Sequence, residues 1–295
     1  MRVLAFTNQK GGVGKTTSAV NVASCLAAAE KKTLLIDLDP QGNATSGLGL
    51  AKHDLERSIY DVLVHRIPLA EVCFPTQLSY LDIAPSNTQL VGAELELVSA
   101  FARENRLANG IEGVRGLHYD YVVIDSPPSL SLLTINALTA ADGVIVPVQC
   151  EYYAMEGLSE LVKTIQLVQE HLNPRLQIEG IILTMYDARN NLARQVSGEV
   201  RDYFGDKVYQ TVIPRNVKLS ESPSHGKSII LYDVQSKGAK SYLELTAELI
   251  FGKKVINNAQ NNTEAAESAA SSDLLPKRRE RFEGKAGEEE NRSVY

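Results

Sequence analysis

Residues 1–23 read MRVLAFTNQKGGVGKTTSAVNVA, and the order of residue types in them decides the fold. An apolar, β-favouring run, RVLAFT at 2–7, leads into the glycine-rich turn NQKGGVG and then into a helical pattern from Thr16 to Glu30. Strand, glycine-rich turn and helix, in that order, is the context in which the pattern G-x-x-x-x-G-K-[ST] binds phosphate. Gly11, Gly12 and Gly14 let the backbone approach phosphate oxygens with its N–H groups, and the helix adds the positive end of its dipole. Lys15 is placed to pair with β and γ phosphates and Thr16 to offer its hydroxyl to Mg2+, while Val13 and Thr17 complete the nucleotide-holding run. One position departs from the pattern: Gln9 stands where a glycine is usual, and it is followed by an extra cation, Lys10.

Working outward, apolar runs recur at 33–39 (TLLIDLD), 120–126 (DYVVIDS), 143–148 (GVIVPV), 179–185 (EGIILTM) and 208–213 (VYQTVI). Helical patterns fall between many of them, at 94–107, 155–171, 192–204 and 238–251. The alternation predicts an α/β fold, a mostly parallel sheet with helices on both faces, of the P-loop NTPase type. In such sheets ligands sit beyond the carboxyl ends of the strands. Asp125 ends one buried run and is the acid expected to hold Mg2+ through water. Asp37 and Asp39 end another; two apart, they are expected to start on one strand face near triphosphate and metal, with Asp39 a second possible metal ligand.

The bulk composition excludes several classes. A chain of 295 residues with 44% hydrophobic content is ample for a buried core. Its three cysteines, Cys25, Cys73 and Cys150, are odd in number and far apart, so neither a disulfide framework nor a zinc site is expected. The five histidines lack metal-ligand spacing. No signal-peptide pattern opens the chain and no apolar run approaches the ~18 residues of a membrane span, which predicts a cytoplasmic protein. The net charge of −6 disfavours a dedicated nucleic-acid binder, yet it is unevenly spread: 13 basic against 20 acidic residues over 1–183, but 9 basic against 6 acidic over 187–240. From 253 to 295 the composition turns polar, with 8 charges of each sign and no period, and a disordered tail is expected after an ATPase domain at 1–252.

Five blocks in order, KGGVGKTT, LLIDLDPQGNATSGLG, YVVIDSPPSLSLLTINAL, PVQCEYYAMEGLSEL and TVIPRNVKLSESPSHGKSI, resemble the ParA/Soj family of chromosome and plasmid partition ATPases, within the deviant Walker A group. The resemblance spans about residues 1–251. It implies that Lys10 is the signature lysine, reaching across an ATP-sandwich homodimer to the partner's phosphates. Two triphosphates brought face to face repel unless cations intervene, so a lysine acting across the interface makes assembly depend on nucleotide. The resemblance further implies that Lys10, Lys15 and Asp39 are catalytic, Asp39 by positioning the attacking water. It makes Asp125 the magnesium acid and places Pro214 and Asn216 against the adenine.

Relatives of this kind bind double-stranded DNA without sequence preference as ATP dimers, and a ParB-like centromere-binding partner stimulates their slow hydrolysis. The matching DNA positions are Arg189 and Lys218, supported by Arg215 and Lys227, and a nucleoid-associated location follows. Lys218 stands where such relatives carry arginine, keeping the charge and losing the bidentate fork. Three rivals share the phosphate chemistry. A MinD-like membrane-binding ATPase would need an amphipathic C-terminal helix, whereas SYLELTAELIFGKK reads as a domain-closing helix. An iron-protein-like redox ATPase would need cluster cysteines, which the DSPPSLSLL block lacks. A metabolic ligase would need a second substrate pocket, and none can be read.

Overall fold

The computed structural model describes residues 1–252; the tail expected at 253–295 lies outside the described residues. Seven strands form one sheet: β1 (Arg2–Phe6), β2 (Thr33–Asp37), β3 (Phe74–Pro75), β4 (Leu81–Ala84), β5 (Tyr121–Asp125), β6 (Gly143–Gln149) and β7 (Gln177–Thr184). Their order is β3-β4-β2-β5-β1-β6-β7, parallel throughout except that β3 runs antiparallel to β4. The helices, in chain order, are α1 (Lys15–Ala28), α2 (Asn43–Gly47), α3 (Ile59–Leu63), α4 (Leu90–Glu96), α5 (Arg106–Glu112) and α6 (Leu132–Ala140). After them come α7 (Ala154–His171), α8 (Asn191–Phe204), α9 (Val217–Glu221), α10 (Ile229–Tyr232) and α11 (Lys237–Phe251).

The strands read as continuous apolar runs because both faces of the sheet are covered. Val3 and Ala5, Leu34 and Ile36, Val122 and Ile124 point into one core with α3 to α8. Leu4 and Phe6, Leu35, Val123 and Ile145 point into the other, against α1, α2 and α9 to α11. The register matters most for function. Phe6 pairs with Asp125 and Asp125 with Asp37, so the ends of β1, β5 and β2 lie level at one edge of the sheet.

Three expectations need correction. The run 33–39 ends as a strand at Asp37, so Asp39 lies beyond the sheet and does not share a strand face with Asp37. The run 208–213 forms no strand: an isolated bridge joins Val208 to Ile181, and the Tyr209 and Ile213 N–H groups donate to the Ile181 (2.9 Å) and Leu183 (2.8 Å) carbonyls of β7. Between them the ladder is interrupted, because the buried Glu248 carboxylate on α11 accepts from the N–H groups of Gln210 (2.9 Å) and Thr211 (2.7 Å). The helix expected over 94–107 is broken into α4 and α5. Ala102 adopts a left-handed φ of 50°, the Arg103 guanidinium donates to the Val98 carbonyl at 2.7 Å, and Asn136 on α6 bonds both the Arg103 carbonyl and the Leu107 N–H. Short β3 and β4, and α6 with its near-uniform apolar surface, carry no periodic signal and were not expected.

Candidate functional site

The turn after β1 is built as an anion cradle. Gly12 and Gly14 hold left-handed φ values of 75° and 86°, where a side chain is strained, and a Cβ on Gly11 or Gly12 would meet only open space. No side chain caps α1, so the N–H groups of its first turn, from Lys15 to Thr17, are left for a ligand. The loop is pinned from both sides. Asn8 donates to the Pro147 carbonyl (2.7 Å) and accepts from the Lys10 N–H (3.0 Å), and the Thr184 hydroxyl donates to the Val13 carbonyl (2.8 Å). Asn8 and Thr184 escaped sequence reasoning: an asparagine in a turn and a threonine ending a strand are ordinary there, and only the tertiary arrangement shows what they hold.

Lys15 is only 6% exposed, and its ammonium donates to the Lys10 carbonyl at 3.1 Å. Burial lowers its pKa, while Asp125 and then Asp39 oppose that. Asp125 is fully buried, and neither of its carboxylate oxygens has a hydrogen-bond partner. Burial first, and the neighbouring Asp37 second, push its pKa well above the carboxylate range, with the Thr16 hydroxyl and Lys15 pulling the other way. An unpartnered buried carboxylate beside a threonine at the mouth of a phosphate cradle fits a divalent cation. These residues would hold Mg2+: Thr16 directly and Asp125 through water.

Asp37 has a different character. Its carboxylate accepts from the Thr45 N–H (2.8 Å), the Thr45 hydroxyl (2.7 Å) and the Asp39 N–H (3.2 Å). Burial raises its pKa to about 6 despite those bonds. It braces the segment after β2. Thr45 in turn accepts from the Ser86 N–H at 2.9 Å, which ties this segment to the chain after β4. Asp39, 7% exposed, orders its own turn by accepting from the Gln41 N–H (2.9 Å) and still lines the cleft.

That cleft is a cavity of about 540 Å³. It brings Gly12, Gly14, Lys15, Thr16 and Thr17 together with Asp39 on one side and Pro214, Arg215 and Asn216 on the other. Sequence-distant segments meet here because Tyr186 and Pro214 form a bridge and Asn216 caps α9 by accepting from the Lys218 N–H (2.9 Å). Tyr242 of α11 also lines the cleft and bonds the Ser18 hydroxyl of α1 at 3.0 Å. The size and the contrast between a polar phosphate end and a proline-bearing end suit a nucleotide.

Lys10 does not line this cleft. Its ammonium turns to the Glu151 carboxylate at 2.9 Å, at the root of α7, with 38% of the side chain exposed. Glu151 was not singled out from the sequence. Of the basic residues, Arg189 is 91% exposed and forked onto Asp187 (3.0 and 2.8 Å), while Lys218 bonds Glu221 (3.0 Å) and lies over the Tyr232 ring. Arg215 lines the cleft itself, and the bond from its N–H to the Tyr186 carbonyl (3.2 Å) joins the Arg189 and Lys218 loops. Lys227 lines a smaller neighbouring pocket with Thr16 and Asn21. Among the described residues no helix is long and apolar enough to cross a membrane. The apolar side of α11, including Ala239, Tyr242 and Leu249, is buried in the second core, as a domain-closing helix requires.

Comparison with known proteins gives a consistent result. A family model described as an AAA domain matches residues 1–178. The sporulation initiation inhibitor protein Soj of Bacillus subtilis (strain 168) is 59% identical over 248 residues, 84% of this chain and 98% of that protein. The chromosome partitioning protein ParA of Myxococcus xanthus (strain DK1622) is 55% identical over 249 residues, 84% of this chain and 88% of that one. Among solved structures, cobyrinic acid a,c-diamide synthase from Mycobacterium smegmatis with bound ADP and magnesium matches with a TM-score of 0.75 and 37% identity. That match covers 85% of this chain and 94% of the other.

Proposed function

Since the chain belongs to the ParA/Soj family of chromosome-partitioning ATPases, we propose that it is a nucleotide-gated partition switch carried by residues 1–252. ATP binds in the cleft, two copies close face to face over it, and the closed pair holds double-stranded DNA without sequence preference. A ParB-like centromere-binding partner then stimulates slow hydrolysis and release, in the cytoplasm and on the nucleoid.

One observation carries the reading: the extra lysine has no place in its own cleft. Lys15 already supplies the buried cation there, whereas Lys10 is tethered outside by an exposed carboxylate. A flexible ammonium next to a triphosphate site but turned out of it is suited to a phosphate held by a second copy. In the closed pair Lys10 would leave Glu151 and offset the partner's phosphate charge, and Lys15 would hold β and γ phosphates. Asp39, beyond the strand and facing the cleft, would orient the attacking water, and Pro214 and Asn216 would flank the adenine. Bound magnesium would supply charge neutralisation on the phosphates. The solved neighbour with ADP and magnesium supports that pairing of ligands.

Arg189, Arg215 and Lys218 lie on two loops joined at Tyr186, and pairing two copies doubles this basic patch. Such contacts neutralise phosphates and need no base readout, which reconciles DNA binding with a net charge of −6. The test is DNA retention on a filter with ATP, with ADP and with Lys10→Ala. ATP-dependent retention lost in the variant is expected. Equal retention in all three overturns the switch.

A further inference from the structure

On the face of the sheet that carries α3 to α8, α4 is apolar on two sides. Leu90, Ala93 and Leu97 are buried in the core, yet Val91, Leu95 and Val98, four and three residues apart, are 64%, 80% and 60% exposed. Phe101, in the connection between α4 and α5, is 89% exposed. Glu94 and Glu96 give the helix its charge, so its exposed apolar residues are confined to one stripe. Scattered exposed apolar residues are normal, but four of them close together, Val91 and Leu95 on α4 and Val98 and Phe101 in the turns that follow it, mark a surface that is covered in use.

The stripe runs into a charged cavity. Phe101 forms part of the wall of a cavity of about 390 Å³ whose other walls include Val62, Ile67, Leu69, Arg66 and Arg106. Among the described residues no carboxylate lines it. Arg106 has its Nε and Nη1 buried without a hydrogen-bond partner, and neither arginine has an ion pair among the described residues. Burial, and then the like charge of Arg66, lower the Arg106 pKa. A half-buried guanidinium with unpaired N–H groups beside a second, exposed arginine is unfavourable unless an anion joins them. No acidic side chain among the described residues reaches this wall.

We propose that the α4 stripe and the Arg66–Arg106 cavity form one docking surface for an amphipathic segment of a partner protein. Its apolar side chains cover Val91, Leu95, Val98 and Phe101, and a carboxylate side chain enters the cavity. The charge of the cavity calls for an acidic occupant, and a second copy of the chain is an outcome that the test separates. The surface shares no lining residue with the nucleotide cleft, so substitutions in it leave the cleft walls intact.

The test uses a displayed library of random dodecapeptides panned against the full chain. Recovered peptides, fluorescently labelled, are titrated against wild type, Leu95→Asp, Phe101→Ser and the double variant Arg66→Glu/Arg106→Glu. The expected peptides carry apolar residues at spacings of three and four with at least one Asp or Glu. Each variant weakens their binding at least about tenfold, the size of a lost buried charge pair or anchor. Replacing the peptide's acid by lysine restores binding to the double variant. Leu95, Phe101 and Arg66 are exposed, so folding is expected to persist, and retained binding of an ATP analogue verifies it. The proposal falls if no recovered peptide responds to these substitutions, or if the responsive peptides carry no acid. It also falls if sedimentation shows a nucleotide-free dimer that Leu95→Asp dissolves, because the face would then belong to a second copy.

Discussion

Lys10 and Glu151 form a half-exposed ion pair, and its strength sets what removing it can do. Exposed pairs are worth at most about 1 kcal/mol, and that is the cost of detaching the ammonium before it can reach a second copy. Glu151→Gln is therefore expected to raise the dimer fraction at limiting ATP by up to about fivefold, measured by sedimentation across an ATP series. An unchanged fraction would show that the tether does not oppose assembly. Asp125 makes a sharper prediction. Its carboxylate and that of Asp37 are fully buried, with pKa values raised well above the ordinary range for Asp125 and to about 6 for Asp37. A raised carboxylate binds its proton more tightly in the folded state, so its favourable contribution is present below the unfolded value of about 4 and is lost as pH climbs through the folded value. Asp125→Asn removes the Asp125 part of that loss. The nucleotide-free variant is expected to be more stable than wild type at pH 7.5, by about 1–3 kcal/mol in urea titrations, with the gap narrowing toward pH 5. The same variant is expected to lose magnesium-dependent hydrolysis, the opposite direction from its stability.

At the scale of elements, the decisive contest is between a strand and one carboxylate. VYQTVI has the composition of a strand, but Glu248 takes the amides of Gln210 and Thr211, so only the flanking amides of Tyr209 and Ile213 reach β7 and no strand forms. Glu248→Ala is expected to destabilise the chain by about 3 kcal/mol, because two amides lose a buried charged acceptor, and a urea midpoint measures it. Nearby, a methyl on Gly180 would sit 2.3 Å from Cε2 of the buried Tyr209. Gly180→Ala is expected to cost about 1–3 kcal/mol by overpacking. The same contest explains what could be read in advance. β1, β5, β6, α1, α7, α8 and α11 announce themselves through periodicity and buried runs, since their neighbours merely cover what the pattern already demands. The break between α4 and α5 is invisible in sequence, because Asn136, some thirty positions on, is what stitches it. Asp37 looked like a site residue by position and turned out to brace Thr45, a distinction that only the hydrogen bonds draw.

For the whole molecule, the site was legible to the extent that it is local. Gly11 to Thr17 announce a phosphate cradle by themselves, and the strand ends point to Asp125. The far wall at Pro214 to Asn216 came from family resemblance, and the tie of Lys10 to Glu151 from neither, since nothing in a lysine's neighbours names a carboxylate 141 positions away. Global behaviour gives one more test. Cys25, Cys73 and Cys150 are free, and burial pushes their thiols up to about 12, 12 and 11. A disulfide reagent at pH 8 is expected to titrate all three quickly in urea, and to reach Cys25 and Cys150 of the native chain only as fast as it opens, with the half-buried Cys73 reacting first. Fast labelling of more than one thiol without denaturant would contradict the packing. The placement of Tyr242 and Glu248 has a consequence for biosynthesis. The last helix both walls the cleft through Tyr242 and shapes the approach to Pro214 through Glu248. A nascent chain still threaded through the ribosome as far as α11 has translated every glycine of its phosphate cradle and yet lacks a finished receptacle. Fuel loading therefore waits until α11 has been made and packed, and a premature stop before Ser241 leaves an intact fingerprint on a protein that cannot fire.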